Sequence, residues 1–419
     1  ALFAIVVGGA LFTPVVLLLF MGALSPITER LFGVLGRMAP RAVVRSLSRT
    51  SVAVAALTVA VSVIVGVSVM ITSFRNSVSD WLDNTLGADI YVSPVSATTT
   101  RATADIDRAL LESVRNVEGV DRISAGRGVT VVAPDYPDLP PVNLGVADGE
   151  ITDRRAFAWL LVDRADYWQA LQEGAIMVSE PFAYRRNITP QNNRLTLLTD
   201  HGEHTFEIAG VYYDYSADQG TVFMVDSVYR RYYDDPYIST MAVYVQPDAS
   251  ADATLNRIRE TLAGTDLQVR SNATLRANVF DVFERAFSIT IALRLLATIV
   301  AFIGILSALM ALQLEQTRQY GTMRAVGLTP RQLWSYTLIQ TGLMGTTAGI
   351  LALPIGVVLA IVLIYVINVR SFGWTMQLLL TPNELLSAFA VAVVAALLAG
   401  VYPAYKLSQL VTARALRAE

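Results

Sequence analysis

The stretch SVAVAALTVAVSVIVGVSVMITS, residues 51–73, carries no charged side chain in 23 positions. About 20 such residues cross the hydrocarbon core of a bilayer, so this segment reads as a membrane-spanning helix. Two residues later comes Arg75, and from there to Arg285 polar and apolar residues alternate as they do in a water-facing domain. Working outward, four further charge-poor runs qualify as spans, at about 1–23, 287–313, 345–367 and 385–405. The charge-free run 332–369 exceeds one crossing, which places its first dozen residues along the interface or in a junction.

Charge follows the same division. The region 75–285 holds 31 acidic residues and 19 arginines, net −12, while the remainder holds 4 acids and 13 bases, net +9. The whole-chain value of −3 conceals this partition. With 53% hydrophobic and 16% charged residues among 419, the composition excludes an ordinary soluble enzyme. Cysteine is absent, which removes disulfides, thiolate chemistry and cysteine metal sites.

Basic residues in short loops set the orientation. Arg30, Arg37, Arg41, Arg45 and Arg49 lie in 24–50; Arg318, Arg324 and Arg331 lie in 314–334; Lys406, Arg414 and Arg417 lie in the tail. Five spans put these three segments on one side, the cytoplasm, and the loop 370–384 with Arg370 alone on the other. The fold class is therefore an α-helical membrane domain of five spans with a large inserted α+β extracytoplasmic domain. In order, the reading gives a span at 1–24, a cytoplasmic basic helix at 25–50, a span at 51–74 and the external domain at 75–285. A span at 286–313, a cytoplasmic segment at 314–334, two spans with a short external loop over 335–405 and a cytoplasmic tail at 406–419 complete it. No basic segment precedes the first run, so it is not a signal peptide; the chain opening inside an apolar run implies a missing N-terminal portion.

Arg37, Arg41, Arg45 and Arg49 recur every four residues, forming one stripe of a helix that anchors to anionic headgroups or meets a partner. In the external domain the pattern predicts helix continuing through 74–85, strand 89–93, helix 105–117, strands near 128–132 and 142–146, a hairpin over 193–213, helix 253–262 and strand 268–270. A helical run from Ala273 feeds the third span. His201 and His204, the only histidines, sit in a hairpin turn without the geometry of a metal-binding helix and read as solvated. Tyr212, Tyr213, Tyr215, Tyr229, Tyr232, Tyr233 and Tyr237 read mainly as packing, with a binding surface as the alternative. Arg294 reads as snorkelling to the outer headgroups, or as an ionic gate contact. Gly342, Gly345 and Gly349, with Thr346 and Thr347, allow close helix approach.

No residue reads as catalytic. A phosphate-cradling loop needs a lysine, and the only one, Lys406, lies between Tyr405 and Leu407. No G-x-S-x-G turn and no paired ionisable groups within the spans occur, and nothing points to nucleic acid.

The segment Glu315-Gln316-Thr317-Arg318-Gln319-Tyr320-Gly321-Thr322-Met323-Arg324-Ala325-Val326-Gly327-Leu328, just after the third span, resembles the signature of FtsX-like, MacB-type ABC transporter permeases. Tyr402-Pro403-Ala404 and Ala415-Leu416-Arg417 are similar to that family's closing motif, and the likeness extends from about 40 to 419. Where the family commonly has a second acidic residue, Gln319 stands here. The resemblance implies a multi-pass protein of the bacterial inner membrane without its own nucleotide site or cofactor. ATP and Mg would be held by a separate cytoplasmic ABC ATPase, as a dimer, contacting Glu315, Arg318, Gly321, Met323, Arg324, Ala325, Gly327 and Leu328. It further implies mechanotransmission on hydrophobic or lipid-linked substrates, or else a non-transporting module regulating an external enzyme such as a peptidoglycan hydrolase. The span at 1–24 looks like the linker helix of duplicated, roughly ten-span members, whose other half lies on the same or another chain. Membrane lipid and a periplasmic protein are the remaining expected partners.

Overall fold

A computed structural model of the protein describes residues 2–95, 105–149 and 156–408, without several side chains between 286 and 319 and at 403 and 406–408. The chain divides into two compact units. One comprises 1–74, 285–366 and 377–419, the other 75–284 and 367–376.

In the membrane unit, α1 (Leu2–Leu11) is followed by α2 (Thr13–Arg45), whose first turn contains Pro14, where a missing N–H breaks no helical hydrogen bond. Gly33 departs from helical geometry with φ 60° and ψ −138°, which suits a residue without Cβ. The chain folds back at this point: the Thr28 hydroxyl donates to the Gly36 carbonyl at 2.7 Å. The first span thus runs beyond its expected end at 23 to this bend. After Ser46, α3 (Leu47–Thr85) carries the sequence 51–73 and continues without a break into the external unit.

The external unit holds β1 (Ile90–Pro94), α4 (Arg108–Arg115), β2 (Val120–Val131), β3 (Val142–Ala147), β4 (Phe157–Leu160), α5 (Tyr167–Glu173), β5 (Ile176–Ser179) and α6 (Glu180–Arg186). It continues with β6 (Arg194–Thr199), β7 (Gly202–Tyr212), β8 (Thr221–Val225), α7 (Asp226–Tyr232), β9 (Thr240–Val245), α8 (Ala251–Thr261) and β10 (Leu267–Ser271). The strands form one mixed sheet in the order β10-β1-β9-β2-β3-β8-β5-β7-β4, with β6 paired to β7. Pairing is antiparallel except β3 with β8 and β5 with β7. At one end Val114 and Ile258, from α4 and α8, share a buried core with Val92 and Val243. At the other, Phe182 and Tyr229 from α6 and α7 cover Val178 and Ile208, while Tyr167 and Leu171 of α5 join a separate cluster with Phe223.

The α+β reading therefore holds. Tyr212, Tyr229 and Tyr233 are core residues, the last two stacked at 4.6 Å. His204 packs 4.3 Å from the Tyr232 ring, and His201 lies 3.9 Å from Asp234. Among the described residues no cluster of His, Cys, Asp and Glu is placed to hold a metal.

The chain leaves the external unit through α9 (Asn272–Ala325), then turns into α10 (Pro330–Val362). A π-helical stretch, Leu363–Asn368, leads into α11 (Val369–Phe372), and α12 (Pro382–Ser408) closes the described chain. Residues 332–344 belong to the same continuous helix as 345–362. Small residues bring α10 onto α12: a Cβ at Gly345 would lie 2.6 Å from that of Ala396, and one at Gly400 would lie 2.6 Å from the Thr341 hydroxyl. Ala388, Ala392, Ala396 and Ala399 are buried along α12.

Among the described residues four stretches are long and apolar enough to cross a membrane: Thr13–Arg45, Leu47–Thr85, Pro330–Phe372 and Pro382–Tyr402. The fifth expected span, 287–313, lies within α9, and many of its side chains, Arg294 included, lie outside the described residues.

Candidate functional site

The segment expected as a cytoplasmic loop is mostly helix. α9 continues through Glu315, Arg318 and Gly321 to Ala325, and the connection to α10 is only 326–329. Gly321 is buried inside the helix and makes no turn. Gly327 does: its φ is +107°, a region that L side chains avoid. Its N–H donates to Arg324 O at 3.1 Å and the Leu328 N–H donates to Met323 O at 3.1 Å. That pair of bonds is the Schellman closure, which satisfies carbonyls a helix end otherwise leaves open. The sequence Met-Arg-Ala-Val-Gly-Leu is thus read physically as two residues whose carbonyls accept, two connecting residues, the left-handed glycine and the residue that locks it.

Thr329 then caps α10: its hydroxyl accepts from the Gln332 N–H at 3.3 Å, and the Gln332 carboxamide accepts from the Thr329 N–H at 2.9 Å. Pro330 in the first turn completes a rigid reversal. Arg324 folds over this turn, donating to Leu328 O at 3.5 Å, with its Nε buried and without a hydrogen-bond partner among the described residues. A guanidinium there also complements the negative end of the α9 dipole. Met323 packs against the membrane-unit core that contains Tyr320 and Leu333. Ala325 and Gly327 are exposed and Leu328 is half-buried. The side chains of Glu315 and Arg318 lie outside the described residues, as do 409–419 with the closing motif's second half.

Val326, absent from the sequence-derived site residues, is 79% exposed at the crest of the turn. An apolar side chain displayed on a rigid reversal makes Val326 a candidate contact point, and its signal was its position inside the motif.

Arg37, Arg41, Arg45 and Arg49 are all exposed, whereas Ala39 and Val43 are buried in the cluster that holds Leu333 and Tyr336. Arg37 pairs with Glu29 across the Gly33 bend at 3.6 Å. Arg37, Arg41 and Arg45 therefore face outward from the part of α2 that follows Gly33, whose Ala39 and Val43 side is covered by protein, whereas Arg49 lies in α3 beyond the break at Ser46, so the expected single four-arginine stripe is split between two helices.

At its other end α9 is fastened within the external unit. The Asn272 carboxamide donates to Leu86 O at 2.9 Å and Ala88 O at 2.7 Å, capping the end of α3. Arg276 donates to Asn272 Oδ1 at 2.7 Å, to Leu82 O at 3.3 Å and to the Asp83 carboxylate. Arg75 pairs with Glu284 at 3.6 Å. Asp83 and Arg75 are as far apart on α3 as Arg276 and Glu284 on α9, so the two segments run antiparallel in register. The sequence shows no sign of these pairs because they join residues nearly two hundred positions apart.

A second fastening involves the segment 367–376, whose first six residues are helical. Thr375 donates from its N–H and hydroxyl to the Glu180 carboxylate at 2.9 and 3.0 Å, and the Tyr215 hydroxyl donates to Thr375 O at 3.0 Å. Trp374 meets the Tyr215 ring edge-on at 5.0 Å. Burial raises the Glu180 carboxyl above its ordinary value, with the two bonds from Thr375 opposing.

Two family models match the chain, FtsX-like permease C-terminal over residues 291–411 and MacB-like periplasmic core domain over residues 50–261. An uncharacterized ABC transporter permease protein of Mycobacterium tuberculosis is 41% identical over the whole chain, which covers 49% of that relative. The macrolide export ATP-binding/permease protein MacB of Hyphomonas neptunium is 26% identical over 52% of the chain and 34% of its own length. The chain thus spans about half or less of these curated relatives. The crystal structure of the periplasmic region of MacB from Actinobacillus actinomycetemcomitans aligns over 47% of the chain and 95% of its own, at 10% identity and a TM-score of 0.34.

Proposed function

The chain belongs to the FtsX-like, MacB-type family of ABC transporter permeases, and from that premise we propose that it transmits the work of a separate ATPase to its external domain. It is a multi-pass inner-membrane protein with a large domain outside. ATP and Mg belong to the partner, a dimeric cytoplasmic ATPase that docks on the turn around Val326, Gly327 and Arg324. Closure of that dimer presses the spans together, against a second permease half. The external domain moves in response, extracting or exporting hydrophobic or lipid-linked material.

One observation carries this reading: α9 is a single helix of 54 residues, about 80 Å at 1.5 Å per residue, with the exposed turn at one end and the Asn272–Arg276 fastening at the other. A continuous helix is the kind of connection that such transmission would need.

The test is ATPase stimulation in nanodiscs by the full permease, using the ATPase that co-purifies with it. Val326→Asp places a charge in the docking surface while sparing every hydrogen bond of the turn. Stimulation should fall at least about tenfold, the scale for losing one central contact. An unchanged rate overturns the docking assignment.

A further inference from the structure

The external unit contains a cavity of about 540 Å³, whose lining shares Leu82, Leu86, Val92 and Tyr215 with the contacts described above. Every residue lining it lies between 81 and 283, so it is built wholly within that unit. Its volume falls within the ~300–1,000 Å³ of small-molecule sites. One wall is apolar and comes from the outer turns of α3 and α9: Trp81, Leu82, Leu275, Val279 and Phe283. The opposite wall is the sheet face that α4 and α8 leave uncovered. There Gly128 stands directly across from Gly145, and Thr130 across from Asn143. Where side chains would normally fill the space above a sheet, a glycine pair leaves a hollow; a Cβ on Gly145 would find only Val222 O, at 3.8 Å.

The charge of this cavity opposes that of its surroundings. The region 75–285 has a net charge of −12, yet no carboxylate lines the cavity and one guanidinium, Arg270, does. Arg270 donates to the neutral Gln268 carboxamide at 2.5 Å and forms no ion pair among the described residues. Thr130 and Asn143 supply further polar atoms on the same wall.

We propose that this cavity binds an anionic amphiphile with a single acyl chain. The chain lies against the α3 and α9 side chains over the glycine pair, and the carboxylate or phosphate head meets Arg270. This assigns a ligand class to the hydrophobic-substrate reading above and rests on that reading for the ligand's role as cargo; binding itself is measured separately.

The probe is hexadecanoic acid bearing a diazirine near its methyl end, added to the full chain in phosphatidylcholine nanodiscs. Mass spectrometry should place the label on 81–86 or 275–283. Unlabelled fatty acids of about eight to sixteen carbons should compete about fourfold better for each methylene added. Hexadecanol should compete at least tenfold less well, and Arg270→Gln should erase that difference. Lysophosphatidate competing better than hexadecanoate identifies a phosphate-headed ligand, and the reverse a free carboxylate; both support the site. Gly145→Leu, which fills the hollow, should abolish labelling while the thermal unfolding of the chain is kept. Labelling confined to the spans, or unaffected by Gly145→Leu, overturns the proposal. If ATPase stimulation persists in that case, the transport reading stands without this site.

Discussion

In the membrane unit Gly345 lets α10 approach α12 until a Cβ would stand 2.6 Å from Ala396 Cβ and 3.1 Å from the Ala392 carbonyl. In the external unit Gly145 faces Gly128 across two strands, with nothing nearer to its virtual Cβ than 3.8 Å. The same residue therefore closes space in one unit and leaves it open in the other. Lipid offers no hydrophobic drive for helices to associate, so spans rely on van der Waals contact that small residues permit. A sheet in water has no such need, and an unfilled patch on it calls for another explanation.

The comparison breaks most visibly at Gly345. Gly345→Val forces two helix backbones apart and should cost about 3 kcal/mol, seen as a lower thermal unfolding midpoint of the full chain in detergent. If the variant unfolds like the parent, α10 and α12 are not held by close approach. Gly327→Ala should cost less, about 1–2 kcal/mol, because the strain at φ +107° is confined to one turn. Hydrogen exchange should quicken at 326–332 and nowhere in the external unit; protection unchanged there would remove the Schellman closure from the account. Gly145→Ala should shift stability by about 0.5 kcal/mol or less. A loss as large as that of Gly345→Val would show that Gly145 is packed after all, and would remove the contrast between the two units.

The sequence conveyed what depends on local pattern. Charge-free runs marked the helices, and alternating residues marked β1, β3 and the β6–β7 hairpin. The turn into α10, closed at Gly327 and capped by Thr329 with Gln332, is also a local pattern, but the reading of 314–334 as one segment passes over it. What it hid depends on long-range placement. β5 reads Ile-Met-Val-Ser with every residue buried, and β8 is nearly continuous apolar sequence, so neither shows the two-residue period of a half-exposed strand. The bend at Gly33 lies in a helix-forming context where glycine alone carries little signal. The Asn272, Arg276 and Asp83 contacts, and that of Glu180 with Thr375, are set by tertiary structure and leave no trace in local spacing.

The smallest expected effect concerns Glu180, whose carboxylate holds the segment 367–376 to the rest of the external unit through Thr375. Its carboxyl is raised above the ordinary value, chiefly by burial, so the folded state binds the proton more tightly than the unfolded chain does. Folding is therefore favoured by this group below the ordinary carboxylate value. That contribution is lost as pH rises through the ordinary value towards the raised one, because an ionised carboxylate is then held away from water. Hydrogen exchange of 367–376, corrected for intrinsic rates, should show protection falling a few-fold, roughly, over that window. Glu180→Gln keeps an acceptor for the Thr375 N–H and has no charge to desolvate, so its protection should not vary across the same range. A variant that retains the pH dependence would show that another group governs the segment, and the opening of 367–376 would then have to be sought in the Tyr215 and Trp374 contacts instead.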